Sequence, residues 1–354
     1  MTEHRIITGN SNNMTGIADK SVNLIVTSPP YPMIEMWDEM FSSQDPAIGE
    51  AIAAGNGMEA FEKMHHILDG VWAECDRVLA DNCFICINIG DATRSINDEF
   101  QLYSNHTRII NFFLSRGYCV MPDIHWRKQS NAPNKFMGSG MYPAGAYVTY
   151  EHEYILVFRK GGKREFKGKG KDLRQKSAYF WEERNVWFSD LWEIKGTTQT
   201  IVAPKTTRDR NASFPLEIPY RLVNMYSAEG DTVLDPFAGL GTTNIACMIA
   251  HRNSIGIEAD STIAEMALEH MRQPASLLSA AVESRIRRHL DFITDLPADK
   301  KAKCYENVPH GFLVKTKQET AIQIDEVTQV QRKNNIYYCE YQKWQAKSEQ
   351  LSML

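Results

Sequence analysis

The chain has 354 residues, 43% of them hydrophobic, with a net charge of -5 and seven cysteines. That is enough apolar material for one large or two ordinary globular domains, and no apolar run approaches the roughly 18 to 20 residues that cross a bilayer. The first residues, "MTEHRIITGN", lack the parts of a secretory signal, so the chain reads as cytoplasmic with no membrane partner.

Strand-like and helix-like segments alternate along the chain, which implies an α/β sheet. "SVNLIVTSPP" has Val22, Leu24 and Val26 at period two and a continuous apolar finish, predicting a buried strand that ends at Thr27 or Ser28. Residues 58–79 place Phe61, Met64, Ile67, Leu68, Val71, Trp72 and Val78 near helical spacing, with Gly70 a weak point. "NCFICINIGD" reads as a strand, "NHTRIINFFLSRGY" as a helix closed by Gly117, and "YEHEYILVFRK" as another strand. Within the first of these, Cys83 and Cys86 form a CxxC. No second ligand pair stands at metal spacing, so they are expected as reduced core thiols and no metal is expected.

Residues 161–200 break the rhythm and read as an insertion or a substrate-specific module. "RKGGKREFKGKGKDLRQK" (159–176) carries nine basic residues against Glu165 and Asp172, a candidate phosphate-contacting run or a solvated hairpin. Periodicity resumes with "FPLEIPYRLVNMYSAEG", a helix that Pro215 can start and Gly230 can end. A strand at 232–234, a glycine-containing turn, a helix at about 242–250, the strand "NSIGIEA" and a helix at about 261–271 follow, with Pro274 as the stop. The last eighty residues are more polar and receive no role.

The unit 231–260 carries a specific chemistry. Gly239 and Gly241 let the backbone turn tightly after a strand, and the following helix offers free amides from about Thr242. Glu258 closes the next strand, where a carboxylate can accept both ribose hydroxyls of an adenosine-type ligand. A dinucleotide fold competes, but "GLGTTN" has Asn244 where the third glycine of GxGxxG would stand, and Asp235-Pro236-Phe237 precedes the turn. Asp235 would repel a pyrophosphate and attract the ammonium of S-adenosylmethionine (SAM), so SAM is the expected cofactor.

"TSPPY" followed far downstream by "DPFAGLGTT" resembles the amino-methylating DNA methyltransferases of the beta group, in which the catalytic motif precedes the SAM motif. The resemblance spans roughly residues 5–270. "TGNSNNM", "INIGD", "DIHWRKQSNAPN", "YEHEYILVFRK" and "NASFPLEIPYRLV" are similar to further family segments in the same order. It implies a class I SAM-dependent methyltransferase fold, a Rossmann-like mixed sheet flanked by helices in circularly permuted order. Residues 1–160 would be the catalytic half, 161–205 a target-recognition insertion, 206–274 the SAM-binding half and 275–354 an extension. Ser213, Phe214 and Pro215 fall in the segment that contacts the methionine part of SAM in the family. The implied partner is double-stranded DNA, and the family is compatible with a homodimer and with a cognate restriction endonuclease acting separately. "SPPYPMIEMWD" is also similar to archaeal enzymes acting on CTAG.

The chemistry of the tetrad can be built from its residues. The lone pair of an exocyclic amino group is delocalised into the base, so a catalyst should accept its N–H bonds and favour a tetrahedral nitrogen. Ser28 Oγ and the Pro29 carbonyl are candidate acceptors, held stiff because Pro29 and Pro30 fix φ and remove amide donors. Tyr31 would stack on a base flipped out of the duplex. In the family, Ser at the head of the tetrad goes most often with N4 of cytosine and Asp with N6 of adenine, so cytosine is expected and adenine is the alternative. A more distant alternative is a SAM-dependent RNA or protein methyltransferase. An oxidoreductase lacks its third glycine, and a non-catalytic DNA-binding protein would not need the tetrad.

Three further groups carry expectations. "PMIEMWDEMF", with Glu35, Trp37 and Asp38, reads equally as a lid over the ligands or as an amphipathic helix with Ile34, Trp37 and Phe41 in the core. Arg127, Lys128, Asn131 and Asn134 are candidate DNA contacts. Lys163, Arg164, Lys167, Lys169 and Lys171, with Trp181, Trp187 and Trp192 as apolar anchors, make the remaining expected DNA-binding set.

Overall fold

The computed structural model of the protein describes residues 1–128, 137–196 and 214–346. Its spine is five parallel strands in the order Leu79–Ile89, Val22–Thr27, Thr232–Asp235, Asn253–Glu258, Thr2–Thr8. Antiparallel strands extend both sides. His152–Arg159 and then Ile124–Arg127 continue from Leu79–Ile89, while Ile336–Lys343 and Asp325–Lys333 continue from Thr2–Thr8. A mixed α/β sheet with helices on both faces is therefore what the alternating pattern builds.

The apolar runs have a direct cause. Leu24 and Val26 face one helical layer and Ile25 the other, so the strand needs hydrophobic residues on both sides and reads as an unbroken run. One layer packs Leu68 and Trp72 of the Gly57–Val78 helix and Phe113 of the Asn105–Ser115 helix. The other packs Ile218, Ala246 and Ile286, from helices Glu217–Tyr226, Thr242–Ile249 and Ala275–Thr294. The CxxC thiols divide between these layers, Cys86 into the second and Cys83 into the first, which explains their spacing as strand alternation.

The polar C-terminal residues, which periodicity left without a role, complete the sheet. The hairpin of Asp325–Lys333 and Ile336–Lys343 pairs with the N-terminal strand through Thr2↔Cys339 and Arg5↔Ile336. Tyr337 Oη donates to the Leu268 carbonyl at 2.7 Å, and Trp344 is buried behind the hairpin. The edge strand buries only Val327 among its nine residues, which is why its sequence shows no strand signal.

Asn244 shows how this chain does without the third glycine. It is fully buried and its Nδ2 donates to Ser254 Oγ at 2.9 Å, stitching the Thr242–Ile249 helix to the neighbouring strand. The close approach is granted from the strand side instead. A Cβ on Gly256 would stand 2.8 Å from both Ala238 Cβ and Asn244 Oδ1 and 2.7 Å from Ile6 Cδ1. Gly256→Ala should therefore cost about 1–3 kcal/mol by overpacking and displace the 235–241 turn. Chemical denaturation and SAM calorimetry would measure both losses, and a variant with wild-type stability would contradict this packing.

Candidate active site

In a parallel sheet the carboxyl ends of the strands gather loops from distant parts of the chain. Here they bring together Thr27, Asp235 and Glu258. Thr27 Oγ1 donates to Asp235 Oδ1 at 2.6 Å, Thr243 Oγ1 donates to Oδ2 at 2.7 Å, and the Phe237 amide donates to Oδ1 at 3.1 Å. Burial pushes the Asp235 carboxyl up to about 6, against the pull of those three hydrogen bonds. Glu258 accepts from the Gly239 amide at 3.0 Å and from the Asp260 amide at 2.9 Å, and burial raises its pKa as well.

A cavity of about 360 Å³ opens over these ends, within the range of small-molecule sites. Ser28, Pro29, Pro30 and Tyr31 line it together with Asp235, Phe237, Gly239, Thr242 and Glu258. Phe214 also lines it, as do Met36, Trp37 and Met40 from the segment after the tetrad. That segment is helical, Glu35–Trp37 and then Asp38–Gln44, with Phe41 buried and Asp38 paired to Arg94 at 2.7 Å. It is thus an amphipathic element whose other side forms a cavity wall. Of the residues expected near the cofactor, Pro236 offers its carbonyl to Ser11 Oγ, Pro215 accepts from the Ile218 amide at 3.0 Å, and Gly241 caps its helix in a left-handed conformation (φ 75°). Ser213, Asn131 and Asn134 lie outside the described residues.

The proline corner is anchored from below. Asn105 Nδ2 donates to the Pro32 carbonyl at 3.0 Å and the Gly90 carbonyl at 2.9 Å, and its Oδ1 meets His65 Nε2 at 2.9 Å. Gly90 packs closely under Tyr31, where a Cβ would stand 3.0 Å from the ring and oblige it to shift by a few tenths of an ångström. The Tyr31 hydroxyl donates to Glu153 Oε2 at 2.8 Å and accepts from Asn88 Nδ2 at 2.8 Å, while Ser28 Oγ lies 3.1 Å from it. Burial, reinforced by the Glu153 charge, lifts the phenol well above its usual range, so Tyr31 stays neutral. Motif reading did not single out Asn88, Asn105, Glu153, Thr27 or Thr243. The available signal was a polar residue inside an apolar strand, Asn88 within "CINIG" and Glu153 before "YILVF".

The expected DNA contacts divide. Arg127 and Lys128 stand at the same end of the sheet as the cavity. Arg127 is 3.5 Å from Glu151, and Lys128 pairs with Glu153 while lying 4.5 Å from the Trp126 ring centroid. The basic run lies away from the cavity. The strand His152–Arg159 runs antiparallel to Leu79–Ile89, so it carries the chain away from the cavity, roughly 17 Å between Tyr154 and Arg159. Arg164 then binds Asp231, which precedes the Thr232–Asp235 strand, at 2.5 and 2.8 Å, so this stretch, with Lys163, Lys167 and the Lys169–Lys176 helix that carries Lys169 and Lys171, starts from the amino-terminal end of that strand. Trp187 and Trp192 are likewise not anchors. They are buried beneath Arg285 and Arg221 respectively, and Trp181 stacks on Phe292.

The fold and this cavity define a class I methyltransferase, and comparison with known proteins places it more closely. The family model for the DNA methylases of the N6/N4 type matches residues 22–269, and the chain belongs to that family. It is similar to the Type II methyltransferase M.MthZI of Methanothermobacter thermautotrophicus, 49% identical over 358 residues that cover 100% of this chain and 99% of that protein. M.MjaI of Methanocaldococcus jannaschii is 51% identical over 273 residues, 74% of this chain and 89% of that one. Among solved structures, a DNA modification methylase of Thermus thermophilus in complex with SAM superposes with a TM-score of 0.58 at 30% identity, covering 76% and 94% of the two chains. The cytosine-N4-specific PvuII DNA methyltransferase shares the fold, with a TM-score of 0.51 at 14% identity over 77% and 88%. The protein is therefore a SAM-dependent DNA methyltransferase. Its cavity fits that cofactor: two carboxylates stand at the strand ends, and where Gly239 lines the cavity no atom lies within 4 Å of the place its Cβ would occupy.

If the basic run contributes no phosphate contacts, the triple variant Lys167→Gln, Lys169→Gln, Lys171→Gln should bind DNA with an unchanged slope of log affinity against log salt. A slope reduced by two to three ions would return the run to the DNA interface.

Proposed function

We propose that the protein methylates the N4 amino group of cytosine in duplex DNA, as a Type II modification enzyme of the permuted beta group, on a target base flipped into the cavity. The observation that carries this reading is that Ser28, at the head of the proline tetrad, lines the same cavity as Asp235 and Glu258. Two relatives near 50% identity are Type II methyltransferases, which supports the Type II reading. The serine at the head of the tetrad supports cytosine over adenine through its family association.

SAM supplies an electrophilic methyl group on a sulfonium when bound. The roles left to the protein are binding, orientation and acceptance of charge. Asp235 holds negative charge where the cationic methionine part would lie, and Glu258 accepts hydroxyl hydrogens of the ribose. Ser28 Oγ and the Pro29 carbonyl accept the two amino N–H bonds, drawing the nitrogen lone pair out of conjugation. The prolines and Asn105 keep both acceptors in place before the base arrives, so their alignment costs nothing at the moment of reaction. The Tyr31 ring offers the flipped base a flat face, and the Met36–Met40 wall keeps water out.

Mass spectrometry of nucleosides from duplex DNA treated with enzyme and labelled SAM tests the proposal, with a CTAG-containing duplex as the first substrate. N4-methylcytosine is expected, and N6-methyladenine would transfer the same machinery to the other base.

The charge on Asp235 gives a second expectation. With its carboxyl at about 6, it is ionised at neutral pH and loses its charge as pH falls below that value. SAM affinity should be level above that range and weaken below it, by up to about tenfold per pH unit. Calorimetry should show Asp235→Asn binding weakly with most of this dependence gone. Equal affinity for wild type at pH 5 and pH 7.5 would remove Asp235 from the cofactor site.

A further inference from the structure

Transferring a methyl group to an amino nitrogen leaves that nitrogen one proton in excess, and the proton needs a destination. The tetrad contains no residue that would hold it, because a serine hydroxyl and a prolyl carbonyl are both weakly basic. The hydrogen bonds behind Ser28 lead to one that could. The Tyr31 hydroxyl donates to Glu153 Oε2 at 2.8 Å, and Ser28 Oγ lies 3.1 Å from the Tyr31 oxygen.

The direction of this chain is fixed by its inner end. A carboxylate has no proton to give, so the phenol must point its hydrogen at Glu153, leaving its oxygen as an acceptor. Asn88 enforces the same sense from the side, since its amide donates both to the Tyr31 oxygen at 2.8 Å and to Glu153 Oε2 at 2.6 Å. The Ser28 hydroxyl then donates to the Tyr31 oxygen, and with Asn88 Nδ2 also 3.4 Å from Ser28 Oγ, the remaining Ser28 lone pair is the one available to the cavity. A buried carboxylate two hydroxyls away thereby makes Ser28 an acceptor rather than a donor.

We propose that Glu153 is the positioning residue and final proton acceptor of the methylation, acting through Tyr31 and Ser28. As the amino nitrogen forms its bond to the methyl carbon and the carbon–sulfur bond breaks, the displaced N–H proton passes to Ser28 Oγ. The Ser28 proton passes to the Tyr31 oxygen, and the Tyr31 proton passes to Glu153. The products are the methylamino base, neutral S-adenosylhomocysteine and a protonated Glu153, so atoms and charge balance. Lys128, in contact with the other Glu153 oxygen and partly exposed, marks the side from which solvent can reset the carboxylate. This relay rests on the Ser28 reading of the preceding subsection and adds Asn88 and Glu153 to it.

The test uses the full-length enzyme under single-turnover conditions, with Glu153→Gln and Tyr31→Phe. Glu153→Gln keeps the size and can still accept one hydrogen bond, but it cannot take the proton. Tyr31→Phe keeps the aromatic face and breaks the chain. Each should slow methyl transfer by roughly 10²-fold or more, with SAM affinity by calorimetry and DNA affinity by fluorescence anisotropy within about twofold of wild type. The double variant should be little slower than either single one, because both interrupt the same path. Wild type should show a normal solvent deuterium isotope effect on transfer, and both variants should lose it. A merely structural role for Glu153 would leave that isotope effect in place or weaken binding, and either result overturns the relay. So does a Glu153→Gln enzyme that transfers at the wild-type rate. If that enzyme keeps its rate while Ser28→Ala remains slow, the relay fails and the Ser28 reading stands.

Discussion

The hydrogen bond from Thr27 Oγ1 to Asp235 Oδ1, 2.6 Å long and buried, is the point on which the site turns. It joins residues 208 positions apart, and it exists because the Val22–Thr27 strand lies parallel to Thr232–Asp235 with Leu24 opposite Val233. One residue beyond Thr27 the chain presents Ser28, and just beyond Asp235 it makes the glycine turn. The same contact therefore sets the separation between the groups proposed to meet the base and those proposed to meet the cofactor. A slip of one residue in that register would turn Thr27 away and bury the wrong faces of both strands.

Two kinds of rigidity meet at that point. The tetrad is stiff by covalent structure, with two fixed φ angles, and by the clamp of Asn105 on the Pro32 and Gly90 carbonyls. The turn on the cofactor side is stiff by packing, with Gly256 allowing Ala238 and Asn244 to close onto the strand. In neither case is the functional group itself responsible for its position. Asp235 is held by Thr27 and Thr243, and Glu258 by the Gly239 and Asp260 amides, before any ligand arrives, the arrangement that preorganised electrostatics requires.

Much of this was legible in the sequence, and the parts that were not have physical reasons. The buried strands and amphipathic helices could be read because both sheet faces are covered, which forces apolar residues into periodic positions. The two motifs could be paired because each has a chemistry of its own, a row of acceptors and an acid beside a glycine turn. Charge alone does not give the position of the basic run, since basic residues at the amino ends of the strands look the same in sequence as those beside the cavity. Only the antiparallel direction of His152–Arg159 separates the two cases. Tryptophan misled for a similar reason, because Trp187 and Trp192 are buried under arginines that come from helices beyond residue 216. Asn88 and Glu153 were visible as polar residues in apolar strands, but their meeting with Tyr31 depends on pairing Tyr154 opposite Ile89, which no local pattern announces.

The central claim, that a flipped cytosine presents its amino group to Ser28 and Pro29 in the cavity shared with Asp235 and Glu258, is tested most directly by a crystal structure. The complex would contain the full chain, a non-transferring SAM analogue and a duplex bearing the target site. The account predicts the N4 atom within hydrogen-bonding distance of both Ser28 Oγ and the Pro29 carbonyl oxygen, with the Tyr31 ring against the base. An extrahelical base whose amino group faces other residues, or a base left stacked in the duplex beside a filled cofactor site, would contradict it.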